Sequence, residues 1–143
     1  MSARKRSLLV LLGLGLVVIG ALLFNSPKSG IKIGSEYYEL EWVSTAEKLQ
    51  LGLSGRDGLE DNSGMIFVFP DERDQCIWMK DMNFALDIIW LNPEKNIIAI
   101  EQNVSPETYP NQYCHGPAKY VIELNAGDAE SAKIEVGQRV NLN

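Results

Sequence analysis

The chain holds one histidine, two cysteines and no Cys-x-x-Cys pair among its 143 residues. A single histidine leaves no His pair for a zinc site, and the missing spacing argues against a dithiol redox centre. There is no P-loop and no Gly-x-Ser-x-Gly, so neither a phosphate cradle nor a serine-hydrolase elbow is present. Nothing in the sequence asks for a cofactor. Basic residues are scarce: 13 Lys and Arg stand against 19 Asp and Glu, a net charge of −6. That balance excludes the basic face by which a protein neutralises nucleic-acid phosphates. Two cysteines are too few for a disulfide-dense mini-protein, and 45% hydrophobic with 22% charged residues is too apolar for a mostly disordered chain.

The charges are unevenly placed. Arg4, Lys5 and Arg6 precede Leu8 to Phe24, which is apolar or glycine throughout. As an α-helix this run covers roughly 26 Å, slightly short of a ~30 Å hydrocarbon core, and Ser7, Asn25 and Ser26 extend it into the interface. No small-x-small pair follows the apolar core, so the segment reads as a retained anchor rather than a cleaved signal. The positive-inside rule keeps the basic cluster cytoplasmic. The expected organisation is a cytoplasmic stub (1–6), a transmembrane anchor (7–26), a linker (27–30) and one extracytoplasmic domain (31–143). From Asn25 onward the chain carries 10 basic and 19 acidic residues, net −9.

Within that domain, Tyr38, Leu40 and Trp42 alternate with Glu39 and Glu41, the period of a half-buried strand. Ser44 and Glu47 form a capping-box signature, Ala46, Leu49 and Leu53 follow at helical spacing, and Gly55 offers a stop, so a helix of about ten residues is expected. Met65 to Phe69 reads as a buried strand ended by Pro70, Asp71 to Asp74 as a charged loop and Cys76 to Met79 as a second strand. Ile88 to Leu91, apolar on both faces, reads as a central strand, with Ile97 to Ile100 its hairpin partner across Asn92–Asn96. Pro106 to Pro117 reads as a loop, Lys119 to Leu124 as a strand, Asn125 to Asp128 as a turn or helix start, and Val136 to Leu142 as a last strand. Strands outnumber helices without βα alternation. The expected fold is mainly β, an antiparallel sandwich or partly open barrel with one or two short helices.

Cys76 and Cys114 form an even pair outside the cytoplasm, which predicts one disulfide. A bridge of that span contributes about 3–5 kcal/mol in the chain-entropy model. Asp87 interrupts an apolar run, so its carboxylate needs a partner; backbone amides or a structural ion pair is the plain reading, with Lys80 and Arg56 as candidate cations. Trp78 and Lys80 share one strand face, an aromatic platform beside a cation, which suits a sugar or other small ligand and equally suits plain packing. His115 reads as a solvent-facing loop residue.

Several motifs then fall in a familiar order: Ala46-Glu47 with Gly52-Leu53-Ser54-Gly55-Arg56; Gly64 to Phe69; Trp78-Met79-Lys80-Asp81-Met82; Leu86-Asp87-Ile88-Ile89; and Val121 to Gly127 with Gly137. From Ile33 to Leu142 the chain resembles the family called domain of unknown function 192. It departs from the family pattern at Ser54 (usually Met), Asp81 (usually Asn) and Ala85 (usually Pro). The resemblance implies a compact, mostly β domain, often exported behind a signal or anchor, and brings no established activity. Arg56, Trp78, Lys80, Asp87 and Glu123 fit the family pattern and form the candidate site.

The leading expectation is a membrane-anchored extracytoplasmic domain, in the periplasm or at the cell surface. It would bind a small molecule, glycan or envelope protein without catalysis. Arg56, Lys80 and Asp87 would be its polar contacts and Trp78 an apolar wall. One rival is an envelope hydrolase with Asp87 and Glu123 as paired carboxylates. Another is a purely structural interaction module, which requires no concave site near Trp78.

Overall fold

Two long strands carry the architecture of residues 30–142, the part of the chain that the computed structural model describes. They are β3 (Ser63–Trp78) and β6 (Gln112–Asn125), paired antiparallel over most of their length. Around them lie β1 (Ile31–Ile33), β2 (Glu36–Val43), β4 (Leu86–Leu91) and β5 (Ile97–Val104), in the order β1-β2-β3-β6-β4-β5. All pairings are antiparallel except β2 with β3. Two short helices complete the fold, α1 (Ala46–Leu51) and α2 (Asp128–Ser131), with a 3₁₀ turn at Pro106–Thr108. The sheet is mainly β and curls as a half-barrel, the open-barrel form of the expectation rather than a two-sheet sandwich.

The sheet is covered on both faces. Ile66, Ile89, Leu91, Ile122 and Leu124 form one apolar layer with α2 and the C-terminal segment. Met65, Phe67, Ile88, Trp90 and Val121 form the other. Every residue of β4 is therefore buried, as its unbroken apolar run requires of a strand with no solvent face. Gly64 is forced by the close approach of β3 to β6: a Cβ there would lie 2.6 Å from the Glu123 carbonyl oxygen.

Several local expectations shift. The helix cap is Thr45, not Ser44, with the Lys48 N–H donating to its Oγ1 at 3.4 Å. The helix ends at Gly52, whose φ of +51° reverses the chain, so Gly55 is not its stop. The proposed break at Pro70 does not end β3. Register irregularities between Val68 and Gln75 absorb the proline and the charged residues, and the strand resumes on the same partner. Half of the proline-rich segment read as a loop is the start of β6. Val136 to Leu142 forms no strand; it is a strap joined by one bridge, Asn96 to Arg139, with Val140 and Leu142 tucked into the core. Trp42, read as the buried face of β2, is 48% exposed.

The stub, the anchor and the linker as far as residue 29 lie outside the described residues. Among those described, no helix is long and apolar enough to cross a membrane.

Candidate functional site

Cross-strand register decides which polar residues meet. Glu123 on β6 stands opposite Met65 on β3 and Ile88 on β4, whereas Asp87 stands opposite Leu124. Directly paired residues point to the same face of a sheet, and successive residues alternate. Glu123 therefore shares the face of Ile88, Trp90 and Val121, and Asp87 shares the face of Ile89, Leu91 and Leu124. The two carboxylates lie on opposite sides of the sheet and do not face one ligand.

Asp87 is fully buried and accepts three backbone hydrogen bonds. Asn103 N–H donates to Oδ1 at 2.7 Å, and Gly127 and Ala129 N–H donate to Oδ2 at 3.0 and 2.8 Å. Its partners are thus amides and not Lys80 or Arg56. The carboxylate fastens the start of α2 and the irregular end of β5 onto β4, a structural task.

Glu123 has the opposite surroundings. Only 5% of it is exposed, and among the described residues its carboxyl makes no hydrogen bond. Burial pushes its pKa from 4.5 up to about 8, and the attraction of Arg56 offsets only part of that rise. The carboxyl lines the floor of a cleft of about 240 Å³ between α1 with its following turn and the β3–β6 pair. Leu53, Phe67, Ile77, Met82 and Leu86 make its walls, and Gln50, Ser54 and Gln112 add the few polar groups. An apolar hollow with sparse polar groups and one perturbed acid is the usual composition of a small-molecule pocket.

Trp78 stands at the mouth. Alternation along the end of β3 buries Ile77 and Met79 and turns Trp78 outward, 40% exposed. Tyr109 meets its ring edge-on at 6.0 Å, and the Lys80 ammonium lies 5.7 Å from the ring centre. The expected aromatic-and-cation platform therefore forms at the rim. A second hollow continues outward past Glu47, Gln50, Leu51, Lys80 and Asp81. Leu51 is 59% exposed there, apolar surface turned toward the groove.

Arg56 lies outside the cleft lining and donates to Glu41 at 2.8 Å on the surface. The turn that carries it is laced to the turn after β3. Ser54 Oγ–H donates to the Lys80 carbonyl at 2.9 Å, Gly55 N–H to the Asp81 carbonyl at 2.8 Å, and Asn83 Nδ2–H to the Arg56 carbonyl at 2.9 Å. The Gly52–Arg56 and Trp78–Met82 motifs are thereby one unit, the two lips of the cleft.

Cys76 and Cys114 are register partners on β3 and β6 and are joined by a disulfide. The bridge links two paired strands beside the cleft. His115 is not in a loop either: it lies on β6, its Nε2 2.8 Å from Glu101 Oε1 and its ring edge-on to buried Trp90 at 4.7 Å. Among the described residues no three His, Cys, Asp or Glu side chains converge as metal ligands would. The sequence reading missed the α1 wall, Phe67, Met82 and Gln112. Leu51 was the available signal, an apolar residue off the Ala46–Leu49–Leu53 stripe.

Comparison with known proteins adds kinship without chemistry. No curated protein matches the chain. One similar crystal structure is a protein of unknown function from Novosphingobium aromaticivorans, 28% identical, with a TM-score of 0.69, covering 73% of this chain and 74% of the other. Another, from Sinorhizobium meliloti and described as a candidate transcription regulator, is 25% identical, with a TM-score of 0.71, covering 78% and 88%. The family model DUF192, described as "Uncharacterized ACR", matches residues 30–142. The chain belongs to the DUF192 family.

Proposed function

We propose that the domain is a non-catalytic binding module, held at the outer face of a membrane by residues 7–26, and that the cleft over Glu123 is its ligand site. One observation carries this reading. A largely buried carboxyl with no protein hydrogen-bond partner among the described residues opens onto the cleft, where a ligand could satisfy it. Trp78 supplies the apolar wall at the mouth, and Lys80 keeps the rim polar. Arg56 tunes Glu123 from outside, and Asp87 holds the frame from the far face.

The hydrolase reading has no such support, because its two carboxylates face opposite sides of the sheet. A purely structural module is disfavoured by the hollow beside Trp78. The regulator description of the Sinorhizobium protein is not extended to this chain, whose net charge of −6 argues against binding nucleic acid.

Saturation-transfer NMR on the full chain in detergent tests the reading, with a panel of simple sugars, amides, amines and short peptides. Hits that compete with one another and vanish in Glu123→Leu and Trp78→Ala support the cleft. Hits indifferent to both substitutions, or a silent panel, count against it.

A further inference from the structure

We propose that the cleft recognises an alkyl chain ending in an ammonium or guanidinium group, with the Glu123 carboxylate as the partner of the cation. This rests on the reading of the cleft as a ligand site and specifies the chemistry of the ligand. The floor presents a buried carboxyl that accepts from no described group, and the strongest donors to a carboxylate are cationic N–H groups. The walls offer alkyl and aromatic carbon from Leu53, Phe67, Ile77 and Leu86, which cover a hydrocarbon stem and hold no competing charge. At the mouth the Trp78 ring already attracts one ammonium, that of Lys80. The excess of 19 acidic over 10 basic residues beyond residue 24 draws cations toward the domain.

The charges around Glu123 permit this. Arg56 acts on it electrostatically and is bonded to Glu41 on β2. Lys80, Glu47 and Asp81 stand at the outer rim. β3 and β4 face the carboxyl with Met65, Phe67, Leu86 and Ile88, none of which titrates. Burial keeps the carboxyl protonated at neutral pH. A cation that requires the carboxylate must expel that proton, so binding releases up to one proton and strengthens as pH rises. A neutral ligand releases none.

The test follows the Trp78 indole and Met82 methyl NMR signals of the full chain in detergent. The probes are n-butylamine, agmatine, the neutral isostere n-butanol, and a blocked lysine amide. The two amines are expected to bind about 50-fold more tightly at pH 8 than at pH 6, the ratio set by ionising a group near 8. Glu123→Gln, which leaves no ionisable group on the floor, should weaken amine binding at pH 8 at least tenfold and abolish its pH dependence. A blocked lysine amide binding as well as butylamine identifies a peptide side chain as the source of the cation; weaker binding identifies a free amine. Butanol binding as tightly as butylamine overturns the cation assignment while leaving the cleft a ligand site. Amine binding that ignores both pH and Glu123→Gln also overturns it. No shift of Trp78 or Met82 with any probe overturns this proposal and the ligand-site reading together.

Discussion

Asp87 and Glu123 are buried acids on adjacent strands, and their environments assign them opposite tasks. Asp87 is satisfied by three amides and stabilises the fold; Glu123 opens onto the cleft, and its burial disfavours the charged form. Asp87→Asn removes the charge from those bonds and should destabilise the domain by about 2–4 kcal/mol in chemical denaturation, without changing affinity at the cleft. Glu123→Leu should raise stability by roughly 1–3 kcal/mol at pH 7 in the same assay while losing ligand, the usual exchange of stability for function. Asp87 was visible in the sequence as a carboxylate inside an apolar run, whereas Glu123 entered only through the family resemblance. That they face opposite ways was not visible, because it depends on a register between strands distant in sequence. The partners of Asp87 illustrate this: Asn103 and Ala129 lie 16 and 42 residues away.

At the scale of elements, β2, β4, β5 and α1 were legible because each has a clear period or turn chemistry. The continuity of β3 was not. Pro70 and four charged or polar neighbours read as a loop, yet β6 carries its pairing past them and the irregular register houses the proline. The disulfide closes 38 residues across this pair. Replacing both cysteines by serine should cost about 4 kcal/mol on the chain-entropy model, read as a lower denaturation midpoint with a steeper slope, because the uncrosslinked denatured chain exposes more surface. Gly64→Ala should cost about 2 kcal/mol or more, since its methyl would meet β6 backbone that cannot give way. The C-terminal strap was misread as a strand because its apolar residues alternate. Its backbone bonds instead to Lys95 and Ile97 at the end of the β4–β5 turn.

For the whole molecule, the structure supplies a hollow in which the proposed ligand would sit. The mouth of the cleft combines residues from α1, β3 and β6, so its existence could not be read from any single motif, although two motifs turn out to be its lips. The proposed topology predicts that protease added to right-side-out vesicles digests residues 31–143 and spares the N-terminal stub. The pH dependence of global unfolding reports on the buried acid at the cleft floor. The folded carboxyl titrates near 8 and its ordinary value is 4.5. Between these pH values the folded state holds a proton that the unfolded state has released. Its contribution is therefore fully present below pH 4.5 and is lost as pH rises toward 8, by at most roughly 5 kcal/mol. Denaturant unfolding of the wild type and Glu123→Gln, compared from pH 4 to pH 9, isolates this effect from the other groups. The stability of the wild type is expected to fall relative to Glu123→Gln across that window. Parallel curves would overturn it, because the Glu123 carboxyl would then ionise as freely as in the unfolded chain and the proposed binding site would lose its distinguishing feature.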